Sequence, residues 1–232
     1  MERLRVALLN AAYDGENTRR NFRRELAGDL AEFNITDGDM PPSIDFDAAV
    51  VTGSKASVYW TEEWIEQTKS WVHQAIQEDL PLLGVCFGHQ LIADVLGGTV
   101  EDMGDYEIGY KTISKVRDDP LFENVPSEFT AFTTHSDEVT VLPPGTVKLA
   151  ENERSIQAFR KDHIFSVQFH PEYDMETAIS ITKNKDLDES RIQQVLDDIT
   201  EERYAQANQT KALFDNFTDY IIEHNAKQRR EV

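Results

Sequence analysis

Residues 80–96 read LPLLGVCFGHQLIADVL, and the way this stretch turns decides the fold. Leu82, Leu83 and Val85 form a short apolar run suited to a buried strand. Gly84 and Gly88 stand two residues on either side of Cys86. From Gln90 the spacing becomes helical, with Leu91, Val95 and Leu96 on one side. A strand that passes sharply into a helix, with small residues around one reactive side chain, is the pattern of a nucleophile elbow. The glycines are needed because the backbone doubles back too closely to admit a β-carbon. Cys86 would then sit at a helix N-terminus, where backbone dipoles favour an anion. A lone cysteine is ordinarily a small buried hydrophobe. The flanking glycines argue against that bland assignment here.

A second stretch, residues 164–173, reads IFSVQFHPEY. Phe165, Val167 and Phe169 alternate with Ser166 and Gln168, as in a strand with one buried face. Pro171 cannot continue a ladder, so the chain must leave the sheet at His170. Glu172 follows two residues on, close enough to reach the same imidazole. By itself His170 is an ordinary strand-end histidine. Beside the cysteine elbow it completes a set of nucleophile, base and orienting carboxylate.

GVCFGHQ followed by FHPEY resembles the class I glutamine amidotransferase (triad glutaminase) family. The resemblance covers most of the chain and is nearest to stand-alone members similar to the glutaminase domain of GMP synthase. It implies Cys86 as nucleophile, His170 as general base and acid, and Glu172 as the residue that orients His170. The family's oxyanion loop, SGGPxSV, matches Thr52-Gly53-Ser54-Lys55-Ala56-Ser57-Val58, with Ser54 in place of the second glycine and Lys55 in place of the proline. Backbone N–H groups act in that loop, so the exchange is tolerable. By the same resemblance the oxyanion donors are Phe87 and Ser54 or its neighbour Gly53. Gln90 and the backbone of Thr134, His135 and Ser136, which match the family's S-H-x-D loop, would hold the amino-acid end of glutamine. His135 is a rival for the base. It ranks below His170 because no carboxylate follows it in a comparable strand-end setting.

Taken in order, the chain begins with an apolar strand over residues 4–9. A polar loop over 14–17 leads to a helix over 18–33, with Phe22, Leu26, Leu30 and Phe33 at helical spacing and Thr18 as its cap. Arg19, Arg20, Arg23 and Arg24 read as a solvated face of that helix; contact with a partner or an anionic acceptor is the other option. Short strands follow at 33–36 and 48–51. A helix capped by Thr61 covers 61–78, with Trp60 packed in the core; a place on the rim of the site is the other option for it. Strands alternating with helices imply a largely parallel sheet covered on both faces. The expected fold is α/β and flavodoxin-like. From Gly97 onward, short apolar pieces separated by turn residues read as an antiparallel β excursion that ends by delivering His170. The chain then becomes helical, with a polar break over 200–208 and a frayed tail over 225–232. One domain spanning residues 1–232 is expected.

Composition narrows the function. The 232 residues carry 43 acidic and 23 basic side chains, a formal net charge of −20 spread along the whole chain. Such a surface repels nucleic acid and anionic membranes. Hydrophobic residues make up 40%, enough to bury a core, so disorder is rejected despite the charge. A high-salt cytoplasm, where repulsion is screened, accounts best for the acidity; a simply acidic mesophilic protein is the other reading. The single cysteine excludes an intrachain disulfide and suits a reducing compartment. No signal peptide or membrane span is read. There is no phosphate-binding glycine loop and no ligand-spaced metal cluster, so neither cofactor nor metal is expected. The expected activity is hydrolysis of the γ-amide of glutamine, with ammonia passed to a separate synthetase. Two alternatives stand beside it. One is an autonomous γ-glutamyl hydrolase or peptidase; the other is a non-catalytic reactive-cysteine protein of the same superfold.

Overall fold

The computed structural model describes residues 3–13 and 15–231. Its first half runs β1 (Arg5–Asn10), α1 (Glu16–Glu25), β2 (Asp29–Asn34), β3 (Ala48–Val51), α2 (Glu63–Gln77), β4 (Leu82–Val85) and α3 (Phe87–Val95). Next come β5 (Thr99–Lys115), β6 (Glu128–Val141), β7 (Val147–Glu151), β8 (Ile156–Lys161) and β9 (Ile164–Val167). Four helices close the chain: α4 (Met175–Lys183), α5 (Glu189–Asp198), α6 (Glu201–Ala207) and α7 (Ala212–Glu231). The strands form one sheet in the order β2-β1-β3-β4-β9-β8-β7-β5-β6. The first five of these pair in parallel, as the flavodoxin-like expectation requires. The remaining pairings are antiparallel and make up the expected excursion.

Alternation along β1 sends its side chains to two cores. Val6 and Leu8 pack with Phe22 of α1 and with Phe214 and Phe217 of α7. Ala7 and Leu9 pack with Ile65 and Val72 of α2 and with Leu91 of α3. Helices therefore cover both faces, which is why β3 and β4 are apolar without alternation. Trp64, Trp71 and Phe87 enlarge the second core. No helix among the described residues is long and apolar enough to cross a membrane.

Several expected boundaries are corrected. The helix after β1 stops at Glu25, and Leu30 and Phe33 belong to β2. Leu26 already has an extended backbone, and Gly28 sits at φ +124, where a side chain is strained. Hydrophobic spacing over 18–33 happens to suit both a helix and the strand that follows it. Thr18 is no cap, since α1 begins at Glu16 after Gly15. The preceding loop includes Asp14, which lies outside the described residues. Thr61 does not cap α2 either, and Trp60 is 44% exposed rather than packed in the core. Residues 200–208 are not a break: Thr200 caps α6 by accepting the Arg203 N–H. The tail is helical to Glu231, with Asn225 bonded to Asp47 at 2.9 Å; Val232 lies outside the described residues.

An aromatic seam joins α7 to the sheet, with Phe165 meeting Phe217 and Tyr220 edge-on. Phe217→Ala should lower stability by about 3–5 kcal/mol, as large aromatic truncations in a core do, read by urea unfolding.

Candidate active site

Cys86 lies between β4 and α3 with φ 54 and ψ −102, a conformation that is strained for any residue bearing a side chain. Close backbone packing imposes this strain. A β-carbon on Gly84 would come within 2.4 Å of the Gly88 carbonyl oxygen, and one on Gly88 within 2.2 Å of the Val51 carbonyl oxygen. The Cys86 N–H donates to the Val167 carbonyl at 2.8 Å, locking the elbow to the end of β9. The thiol is buried at the start of α3, with the Thr134 carbonyl 3.8 Å from Sγ.

His170 arrives three residues beyond β9, its N–H bonded to the Phe132 carbonyl at 2.9 Å. Its Nδ1 and Glu172 Oε1 are 2.8 Å apart, and both residues are buried. Nε2 of His170 and Oε2 of Glu172 have no hydrogen-bond partner among the described residues. The loop at Gly53 passes close to both Cys86 and His170. A β-carbon there would lie 2.8 Å from His170 Cε1 and 3.5 Å from Cys86 Cβ. Burial works against a charged imidazole, but the Glu172 carboxylate and then Cys86 outweigh it and raise His170 to about 10. The raised value ties the charge to the fold. Its stabilisation is fully present below the usual histidine pKa near about 6.5 and is lost as pH rises through about 10.

The remaining expected residues fall around this centre. Ser54 accepts the Ala56 N–H at 3.2 Å through its hydroxyl. Phe87 opens α3 and packs against Trp64, ring centroids 5.4 Å apart. Gln90 is buried and donates to the Asp137 carbonyl at 2.9 Å and to Gln168 Oε1 at 3.0 Å. Thr134, His135 and Ser136 lie within β6 rather than in a loop, beside a register shift between Asp102 and Glu107 of β5. His135 turns to a separate partner: Nε2 meets Glu107 Oε2 at 2.8 Å and Nδ1 meets the Asp137 carbonyl at 2.9 Å. Burial pushes Glu107 up, but the His135 hydrogen bond and charge outweigh it and hold its carboxyl below the ordinary range. His135 is thus committed to a buried pair that braces the strand.

Two cavities meet at Cys86, of about 430 Å³ and about 310 Å³. Gln90, His135 and Ser136 line the smaller; Gly53, His170 and Glu172 line the larger; Ser54 and Thr134 line both.

Sequence reasoning missed several neighbours. Tyr173 stacks on His170 with centroids 4.1 Å apart and planes 21° apart. It directly follows the HPE motif, so it was within reach. Ser166 of β9 and Gln168 just beyond it are fully buried, contrary to the polar face expected of this stretch: Ser166 pairs with His89 at 2.9 Å and Gln168 with Gln90. Lys185 bonds Tyr106 through its ammonium and lies 4.6 Å over that ring. Nothing in the local pattern announces it. The basic cluster of α1 is not simply a solvated face. Arg24 donates to the Glu172 carbonyl at 2.6 Å and to Asp174 at 2.8 Å, and Arg20 reaches Asp174 at 3.0 Å. Asp174 in turn caps α4 by accepting the Thr177 N–H at 2.8 Å. Arg23 pairs with Glu32 and is 60% exposed, as a solvated face requires.

Cys86, with its positive φ, thus stands at a sharp strand-to-helix turn of an α/β protein with a flavodoxin-like sheet and shares a cavity with the His170–Glu172 pair. The chain belongs to the glutamine amidotransferase class-I family, whose model matches residues 21–187. A glutamine-hydrolyzing GMP synthase subunit from Archaeoglobus fulgidus is 41% identical over 112 residues, covering 46% of this chain and 60% of that protein. A glutamine-hydrolyzing GMP synthase from Thermomicrobium roseum is 38% identical over 124 residues, 53% of this chain and 23% of that protein. The match therefore spans about a quarter of the longer synthase and under two thirds of the Archaeoglobus protein. A glutamine amidotransferase of Thermotoga maritima superposes with a TM-score of 0.79 at 21% identity, covering 94% of this chain and 99% of that one. This last likeness supports the fold.

Two measurements probe the site. Arg24→Ala removes the clamp on the Glu172 backbone and should lower kcat by roughly 10-fold with little change in KM, since positioning rather than uniform binding is lost. Glu172→Gln should bring the His170 ring titration, followed by NMR, down from about 10 toward neutrality by roughly 1–3 units.

Proposed function

We propose that this protein hydrolyses the γ-amide of glutamine through Cys86, His170 and Glu172. It would supply the ammonia to a separate synthetase; the Archaeoglobus relative, named as one part of a GMP synthase, supports that division of labour. The observation that carries this reading is the strained, glycine-framed Cys86 sharing a cavity with the buried His170–Glu172 pair. The sulfur attacks the amide carbon. The backbone N–H groups of Phe87 and of Ser54 or Gly53 receive the oxyanion; each such donor is typically worth about 3–4 kcal/mol of barrier. His170 enters as imidazolium, held so by Glu172 and by the charge on Cys86. Attack on the amide carbon neutralises the sulfur and removes one of those two supports. The imidazolium then yields its proton to the departing ammonia and, as a neutral base, activates water against the thioester. Gln90 and the strand carrying Thr134, His135 and Ser136 support the smaller cavity, where the amino-acid end of glutamine is placed.

The acidic surface, net −20, suits a high-salt cytoplasm, so activity should rise with KCl. Ammonia release from glutamine by purified protein in molar KCl tests the reading. Cys86→Ala should abolish release. Glu172→Gln should lower kcat by roughly 10²–10⁴-fold, the usual scale for a lost acid–base contribution. Undiminished release by the Cys86 variant would sink the proposal.

A further inference from the structure

Lys185 lies two residues beyond α4, is half-buried, and lines both cavities that meet at Cys86. Its ammonium bonds the Tyr106 hydroxyl and sits 4.6 Å from the centroid of that ring. The Tyr106 hydroxyl and Thr134 Oγ1 are 3.1 Å apart, and the Thr134 carbonyl is 3.8 Å from Cys86 Sγ. The lysine is therefore tied to the strands beside the nucleophile.

An ammonium carries three N–H donors. Among the described residues Tyr106 takes one of them, and no carboxylate pairs with Lys185. Elsewhere in this acidic chain lysines find carboxylates: Lys69 meets Asp94 at 2.9 Å, Lys211 meets Glu25 at 2.6 Å, and Lys148 meets Glu151. Burial works against the charge on Lys185 and lowers its pKa, while the charge on Cys86 works the other way. A half-buried cation with donors to spare and no counterion suits an anionic ligand.

The smaller cavity indicates which anion. His135 there is committed to Glu107. The other charged side chains lining it are Lys55 and Lys185 of one sign and Asp137 and Asp186 of the other. Both signs together suit a zwitterion better than a simple anion. Lys55 is exposed, where water and salt screen its charge, so Lys185 is the stronger of the two cations. Thr134 and His135 are paired with Ile108 and Glu107 of β5, so the ladder takes up backbone groups that an open loop would leave for a ligand. A charged side chain from outside the strand meets that need.

We propose that the Lys185 ammonium, carried on the turn after α4, binds the α-carboxylate of the substrate and makes the site select for it. The inference rests on the glutaminase reading of the same cavity. Lys185 touches no reacting atom; it determines specificity through binding. Removing it takes away an interaction that ground state and transition state share, so KM rises while kcat holds.

The test measures ammonia release from L-glutamine and from 4-aminobutanamide, its counterpart without the α-carboxylate. The proteins are the wild type, Lys185→Met, Lys185→Arg and Lys55→Met. Lys185→Met should raise KM for glutamine by roughly 10–100-fold, the scale of one hydrogen bond to a charged group, with kcat within about 3-fold. Its kcat/KM for 4-aminobutanamide should stay within about 3-fold of the wild type; if that amide is not cleaved, its inhibition constant against glutamine is read instead. Lys185→Arg should recover most of the KM. An unchanged KM in Lys185→Met overturns the inference. So does a loss shared equally by both amides, which would mean that the lysine only supports Tyr106 or the sulfur. A larger rise in KM from Lys55→Met than from Lys185→Met overturns the assignment to Lys185. Each of these outcomes leaves the glutaminase reading standing. If the wild type does not turn over glutamine, labelling of Cys86 by 6-diazo-5-oxo-L-norleucine, which carries the same α-carboxylate, is followed by mass spectrometry. Lys185→Met should raise the half-saturating concentration by roughly 10-fold or more. An unchanged concentration overturns the inference alone, whereas no label on the wild type overturns the glutaminase reading with it.

Discussion

The approach of the Gly88 backbone to the Val51 carbonyl is the constraint on which the site depends. With the Gly84–Gly88 contact beside it, it forces the chain from β4 into α3 without room for a β-carbon at either glycine. Cys86 is left with the positive φ, and its N–H is taken by Val167 at the end of β9. The elbow and the strand that leads to His170 are therefore one hydrogen-bonded unit. Strain of this kind costs on the order of 1–3 kcal/mol per residue and persists only where the surroundings over-determine it. Here two apolar cores, one on each face of the sheet, supply that rigidity.

Electrostatics then sets the state of the site. A buried imidazole disfavours charge, yet His170 is held protonated because Glu172 lies 2.8 Å away and Cys86 shares the cavity. The backbone of Glu172 is in turn held from behind. Arg24 grips the Glu172 carbonyl and, with Arg20, the Asp174 side chain that starts α4. In a chain of net charge −20, these arginines on α1 order the segment that follows the histidine. The larger cavity also lies between these elements, bounded by the start of α1 on one side and α4 on the other.

Most of this was legible because the decisive signals are local. Gly84, Cys86 and Gly88 are close neighbours in sequence, as are His170, Pro171 and Glu172. The parallel core was legible as well, since β3 and β4 are apolar on both faces. What escaped depends on contacts made across the fold. The Arg24–Glu172 contact joins residues 148 apart in sequence, and no spacing rule reaches that far. Period-two spacing makes Gln168 look solvent-facing. It lies just past the end of β9, where helices cover both faces of the sheet, and there buried polar groups pair with each other, as Gln168 does with Gln90. Helical spacing also ran α1 too far, although Gly28 offered a visible stop.

The most direct test of the central claim is to mix the protein with glutamine, quench rapidly in acid, and find which residue carries the acyl group by peptide mass spectrometry. A γ-glutamyl group on the peptide containing Cys86, absent from Cys86→Ala, is the predicted result. Ammonia formed with no adduct at Cys86, or an adduct on another residue, would contradict the account.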